Sequence, residues 1–177
     1  KRGDAVIGIA SSGLHTNGYS LARKILFEQL KFQPGDFVPD LHNTVGEELL
    51  KVHVTYGPLV QALLKKFNRA GKPDRVKAFA HITGGGFVDN IPRVLPAKCD
   101  VVIRKGSWDM GPLFQLLAER GGVDEAELYQ VFNMGVGMVA VVAAEQADAA
   151  LKFIRSQKHK AWLIGEVVKG MGEARVE

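Results

Sequence analysis

The residues best suited to chemistry begin with a polar loop between a strand-like and a helix-like segment. The loop runs from Ser11 to Gly18 and combines hydroxyl groups, backbone amides and His15. Backbone N–H groups at a helix start bind anions, so the pattern indicates a phosphate site. His15 can add a charged donor or move a proton. The alternative is that Asn17 or Ser20 only caps the helix and His15 is solvated, because the loop matches no standard nucleotide fingerprint.

A second candidate follows a strand-like segment at residues 76–82. His81 lies at the end of that segment, where sheet-based active sites commonly collect residues. Thr83 and the triplet Gly84, Gly85 and Gly86 come next, and successive glycines allow sharp turns and close approach of a ligand. The alternative is a tight strand-to-helix turn with His81 hydrogen-bonded in the core.

A third group lies at the start of the apolar segment 136–144. Asn133, Gly135 and Gly137 stand close together there. Glycines in this position indicate either close packing against a neighbouring backbone or room for a ligand, and the sequence leaves both open.

Other chemistries have less support. The five histidines show no paired spacing with cysteine or carboxylate, so we expect no metal site. Cys99 is the only cysteine, which excludes an internal disulfide and favours a reducing compartment. The basic residues at 65–69 lie on a helix whose apolar face is already assigned, so a solvated face is favoured over nucleic-acid binding.

These candidates need a framework of strands and helices to position them. Strand patterns fall at 5–10, 76–82, 100–104, 136–144 and 162–168, the last closing the chain, and helix patterns at 21–30, 45–50, 59–67, 113–117 and 147–154. Segment 31–44 is expected to be an irregular connection. Strand and helix patterns alternate along the chain at irregular spacing. This predicts an α/β (α+β) fold class with a mixed sheet and helices packed on it.

Composition agrees with a folded domain. The chain has 177 residues, of which 46% are hydrophobic and 24% charged, with a net charge of +4. Its longest uninterrupted run of apolar residues plus glycine covers eleven residues, against the ~20 that a spanning helix needs, so a membrane protein is not expected. The first residues carry no signal-peptide pattern and enter a strand directly. We therefore expect a cytoplasmic protein whose start is a cut within a longer chain.

Taken together and in this order, the motifs resemble the phosphoribosylformylglycinamidine cyclo-ligase (AIR synthetase) family. The strings that carry the resemblance are residues 3–4, 11–21, 81–96, 132–138 and 164–167, and they span nearly the whole chain. The chain departs from the family at 51–56, where a proline–threonine–basic stretch usually leads into a tyrosine. It also departs in part at 108–112, so no family role carries over to either segment.

The resemblance implies that residues 1–177 form one three-layer C-terminal domain. In that family, an N-terminal domain carries most of the ATP site and the interface of a homodimer. The enzyme converts formylglycinamidine ribonucleotide and ATP into aminoimidazole ribonucleotide, ADP and phosphate, with Mg²⁺. This domain alone is expected not to turn over ATP.

The motifs and the resemblance together imply roles for individual residues. His81 and His15 are the expected catalytic residues. The expected substrate- or phosphate-binding residues are Ser11, Ser12, Gly13, Asn17, Gly18, Thr83, Gly84, Gly85, Gly86, Asn133 and Gly135. Two alternatives stay open: a domain of the related formylglycinamidine ribonucleotide synthase, and a non-catalytic binding or assembly domain, which would show no heat of binding with the ribonucleotide.

Overall fold

The computed structural model describes all residues, 1–177, as a mixed α/β fold. The strands are β1 Ala5–Ala10, β2 Phe37–Val38, β3 Asn43–Thr44, β4 Val76–His81, β5 Cys99–Ile103, β6 Val136–Val142, β7 Ala161–Lys169 and β8 Ala174–Val176. The α-helices are α1 Tyr19–Arg23, α2 Val45–Leu49, α3 Gly57–Phe67, α4 Gly86–Asn90, α5 Pro112–Arg120, α6 Glu125–Val131 and α7 Ala147–Ser156. A π-helical segment, Lys24–Gln29, extends α1 directly.

Six strands form one sheet in the order β4-β6-β1-β7-β5-β8. Every neighbouring pair is antiparallel except β5 and β8, which are parallel. The sheet is therefore mixed, as the sequence predicts. The remaining strands, β2 and β3, form a small separate hairpin.

The side chains of β1 point alternately into two separate apolar cores. Ile7 and Ile9 belong to a core of 12 buried residues with α3 and α7. Val6 belongs to a core of 30 buried residues with the other helices. This period of two, with both faces buried, is the signature of a central strand covered on both sides. The sheet is thus the middle of three layers.

Local signals explain where several helices begin. Thr44 and Glu47 form a reciprocal capping box at the start of α2, in which the Thr44 side chain accepts from the Glu47 N–H. Helix α5 begins with Pro112 in its first turn, where a missing N–H costs nothing. No helix in the structure is long and apolar enough to cross a membrane.

The structure contains elements that the sequence patterns did not predict. Helices α4 and α6 and strand β8 are short, and short elements carry too few periodic positions to be recognised. The expectation that residues 162–168 close the chain as its last strand is wrong, because β8 follows and pairs with β5.

The turn between β7 and β8 is organised by one buried carboxylate. Asp100 Oδ1 accepts backbone N–H bonds from Met171, Gly172 and Glu173 at 2.7–2.9 Å. Its Oδ2 accepts from Arg175 at 2.8 Å. The bonds from the Glu173 amide and its neighbours, with the Arg175 bond, hold the pKa of Asp100 below its usual value.

We expect Asp100→Asn to lower Tm at pH 7 and the difference from the native chain to shrink in acid. Because the pKa is lower in the folded than in the unfolded chain, the stabilisation is complete above the unfolded value of about 3.9. It is lost as pH falls through the folded value. Thermal melts between pH 7 and 2.5 test this, with Asp74→Asn, in an exposed loop, as control. A Tm difference that stays constant down to pH 2.5 would contradict it.

Candidate functional site

Strand pairing brings the three candidate loops to one edge of the sheet. Ala10 at the end of β1 pairs with Val136 at the start of β6, and His81 at the end of β4 pairs with Met138. Because both pairings are antiparallel, the loops after β1 and β4 lie beside the loop that precedes β6. Gly84 and Asn17 come close, since a Cβ at position 84 would lie 3.5 Å from Asn17 Oδ1.

Asn133 ties the first loop to the third. Its Oδ1 accepts from Ser11 Oγ at 2.9 Å and from the Gly135 N–H at 2.9 Å, and its Nδ2 donates to the Gly13 carbonyl at 2.8 Å. The side chain is buried. Three satisfied bonds give Asn133 a positioning role, in which it holds the polar loop against the start of β6.

The first loop keeps several backbone donors unused. The Ser11 N–H bonds to the Gly135 carbonyl, and the Ser12 N–H donates to His15 Nε2 at 3.1 Å. None of the N–H groups from Gly13 to Asn17 donates to another part of the chain. Unpaired donors in one loop are what an anion requires.

The helix-capping alternative for this loop is wrong. Helix α1 begins at Tyr19, and its N-cap is Gly18, with φ +77° and no side-chain cap bond from Asn17 or Ser20. A Cβ at position 18 would lie 2.5 Å from the Phe132 ring, so glycine is needed both for space and for backbone conformation.

The glycine triplet is held by a residue that sequence reasoning missed. Asn90 is buried, and its Nδ2 donates to the Gly86 carbonyl at 2.7 Å while its Oδ1 accepts from Thr83 Oγ1 at 3.0 Å. Gly86 has φ +55°, and a Cβ there would lie 1.9 Å from the Tyr129 carbonyl oxygen. Gly85 has φ +94°. Thr83 and these glycines therefore shape the turn. The one sequence signal that could have identified Asn90 is its position within the family-like residues 81–96.

Three imidazoles meet at this edge of the sheet. The ring centroid of His53 lies 3.8 Å from that of His15 and 5.3 Å from that of His81. His15 is only 4% exposed, whereas His81 is exposed. The alternative interpretations of a solvated His15 and a core His81 are therefore wrong. His53 comes from the segment 51–56, to which no role was assigned.

The same segment supplies Tyr56, which fixes the backbone at the end of β1. Its hydroxyl donates to the Ala10 carbonyl at 2.7 Å. Gly137 provides the space, because a Cβ there would lie 2.2 Å from the Tyr56 hydroxyl oxygen and 2.6 Å from His15 Cε1. The sequence left open whether Gly137 allows close packing or makes room for a ligand. The structure shows close packing, with the side chains of Tyr56 and His15 rather than with a neighbouring backbone.

Two of these imidazoles, His15 and His81, have a lowered pKa, which favours their neutral forms. Burial, followed by the nearby His53 and His81, lowers the pKa of His15 to about 4. Burial and His53 also lower the pKa of His81. The expectation of a charged donor at His15 is therefore wrong, and both rings can accept or pass a proton instead.

Two lysines line a cleft beside the first loop, and each has a carboxylate partner, Glu48 for Lys51 and, at 3.9 Å, Asp109 for Lys160. A cleft is lined by Ser11, Ser12, Gly13, Glu48, Lys51 and Lys160 among others. Lys51 Nζ lies 2.6 Å from the buried Glu48 carboxylate, and the Lys160 side chain is 76% exposed. Neither lysine was predicted, because each is far from the loop in sequence.

Comparison with known proteins gives matches over the entire chain. The family model described as AIR synthase related protein, C-terminal domain, matches residues 1–177. The chain is 44% identical over 171 residues to the phosphoribosylformylglycinamidine cyclo-ligase of Syntrophus aciditrophicus, covering 97% of this chain and 47% of that protein. It is 46% identical over 175 residues to the enzyme of that name from Trichlorobacter lovleyi, covering 99% and 48%. The chain thus spans about half the length of the curated relatives it matches.

Solved structures show the same fold. Thiamine-monophosphate kinase from Stenotrophomonas maltophilia superposes with a TM-score of 0.63 at 14% identity, covering 100% of this chain and 51% of that one. The hydrogenase maturation protein HypE of E. coli gives a TM-score of 0.58 at 25% identity, covering 99% and 47%.

Gly137→Ala should destabilise the chain by about 1–3 kcal/mol, the usual cost of overpacking. The added methyl group would push against Tyr56 and His15 and strain the bond to Ala10. Urea unfolding followed by circular dichroism measures the change. Gly35→Ala is the matched control, since a Cβ there meets nothing within 4 Å. Equal midpoints for the two variants would show that Gly137 is not needed for space.

Proposed function

The chain belongs to the AIR synthase related family as its C-terminal domain, and we propose that it is the substrate-binding half of a phosphoribosylformylglycinamidine cyclo-ligase. The relatives at 44–46% identity carry that enzyme name, which favours it over the related synthase. We assign most of the ATP site to an N-terminal domain of the same enzyme. That domain also carries the interface of a homodimer. The single cysteine suits a reducing compartment, so a cytoplasmic location is part of this proposal.

The proposed reaction uses formylglycinamidine ribonucleotide and ATP. The γ-phosphoryl group passes from ATP to the formyl oxygen, which makes that oxygen a good leaving group. An amidine nitrogen then bonds to the formyl carbon and the oxygen departs as phosphate, giving aminoimidazole ribonucleotide. Charge develops on phosphoryl and leaving oxygens, so positioned donors are the main contribution that a protein can make.

The residues of this chain do not fit Mg²⁺, which the family uses. Mg²⁺ prefers oxygen ligands. The candidate ligand group in the chain consists of three imidazoles, and the carboxylate of Glu48 in the cleft is paired with Lys51. These residues therefore supply no Mg²⁺ site in this domain.

One observation supports the assignment to substrate binding more than any other. The N–H groups of Gly13 to Asn17 are unpaired, and the loop that carries them begins at a cleft lined by Gly13, Lys51 and Lys160. Backbone donors with nearby ammonium groups suit a phosphate monoester such as that of the ribonucleotide. Ser11, Ser12, Gly13 and Asn17 are placed in this phosphate-binding role, with their side chains shaping the loop.

His81 is assigned to the reacting end of the substrate. It is exposed at the end of β4, beside the glycine triplet and 5.3 Å from the His53 ring. A neutral imidazole can donate a hydrogen bond to the formyl oxygen as charge develops there and can orient the amidine. His15 lies deeper and acts as the second, more distant contributor.

Binding to the chain itself is the first test. Isothermal titration with formylglycinamidine ribonucleotide should give saturable heat, and Lys160→Ala should weaken binding about tenfold, the scale of one charge-assisted contact. Lys65→Ala, on the solvated face of α3, should leave affinity unchanged. Absence of binding heat would support the non-catalytic alternative.

Kinetics test the role of His81. In a protein that joins this domain to the N-terminal half of a cyclo-ligase, His81→Ala should lower kcat/KM by ~10²-fold or more, the scale of one positioned donor or proton-transfer group. Tm should hardly change, because an exposed side chain contributes little packing. His42→Ala, at another exposed histidine, is the control. Normal kinetics with a large loss of Tm would show that His81 serves only the fold.

A further inference from the structure

We infer that His15, His53 and His81 form a binding site for a divalent transition-metal ion, with Zn²⁺ as the ion to test. Each residue offers one ligand atom, and the three atoms lie within 4.8 Å of one another. Three nitrogen ligands with one open position are a common zinc arrangement in proteins. The site shares His15 and His81 with the proposed ligase function, but it is inferred only from the geometry of the three imidazoles.

The separations are close to those that an ion would require. With Zn–N bonds of about 2.0–2.1 Å in tetrahedral geometry, ligand atoms lie roughly 3.4 Å apart. Closing a gap of at most 4.8 Å to that value is a movement that side-chain rotation can supply. His81 ends a strand and is exposed, and His53 lies in a segment without helix or strand, so both have freedom to turn toward the buried His15.

The hydrogen bonding of His53 already suits an ion. Its Nδ1 lies 2.8 Å from the Val54 carbonyl oxygen. A carbonyl only accepts, so Nδ1 carries the proton and Nε2 keeps a free lone pair. Metal-bound histidines typically have their second nitrogen held in this way by a backbone carbonyl.

His15 contributes the second, independent observation. Its Nδ1 is buried and has no hydrogen-bond partner, which is rare for a polar atom in a folded protein. An ion would give this atom a partner. Ligation through Nδ1 places the ring proton on Nε2, so the bond that Nε2 accepts from the Ser12 N–H must break. The Ser12 amide is therefore a local reporter of ligation.

The donor set selects the class of ion. Imidazole nitrogen binds Zn²⁺, Cu²⁺, Ni²⁺ and Co²⁺ well, whereas Mg²⁺ and Ca²⁺ require oxygen ligands. The group contains no carboxylate. The alternative role for the close rings is simple stacking of His15 on His53, which would give no ion binding.

The test uses the untagged 177-residue chain. Isothermal titration with ZnCl₂ should show one ion per chain, and Co²⁺ should give the visible absorption of a tetrahedral site. His53→Gln should weaken Zn²⁺ binding more than about 100-fold, because even the loss of an outer-shell partner of a metal ligand costs 10–100-fold. His42→Gln, outside the cluster, should bind as the native chain does.

Two further measurements test whether the His53→Gln variant is folded and whether His15 ligates the ion. Without metal, His53→Gln should have the native Tm, which shows that the variant is folded. Zn²⁺ should shift the Ser12 amide resonance in the native chain and leave it unmoved in His53→Gln. Absence of 1:1 binding, or binding that His53→Gln leaves unchanged, would overturn the site and favour ring stacking.

Discussion

Strand β1 lies between β6 and β7 and hydrogen-bonds to both, and its position decides where every candidate residue can be. Its end pairs with the start of β6, and the end of β4 pairs with β6 from the other side. A slip of one residue in either pairing would exchange the side chains of the two cores, so that residues packed in one core would face the other. Packing in the two cores therefore fixes the register of β1, β4 and β6. The register in turn sets the positions of the loops after β1 and β4 and before β6.

The site also depends on the absence of a Cβ atom at two glycines, Gly18 and Gly137. Tyr56 and His15 occupy the volume that a side chain at position 137 would fill, and the Phe132 ring occupies that of position 18. These contacts bring rings and backbone closer than any residue with a Cβ permits. The unpaired amides of the first loop and the close imidazoles are two results of the same tight packing.

Periodicity was sufficient to predict the main strands and the longer helices, because the two-sided burial of β1 and β6 produces continuous apolar runs. It could not predict α4, in which backbone conformation at Gly85 and Gly86 matters more than pattern. Nor could it predict the imidazole cluster, since His15, His53 and His81 come from three segments that only the sheet brings together. Spacing rules detect metal ligands within one segment, and the segment with His53 was also where the family pattern failed.

Segment 51–56 contains no helix or strand, and side-chain contacts hold it to the rest of the fold. Val52 accepts from the Ser12 hydroxyl and Tyr56 donates to Ala10, whereas the Lys51 and Val52 side chains are exposed. Substitutions of the exposed Val52 side chain touch neither apolar core and cost little folding free energy, whereas Lys51 pairs with the buried Glu48 carboxylate and Val54 packs against the 12-residue core. Position 52 can therefore change its chemistry by a single substitution while the strands and helices stay intact.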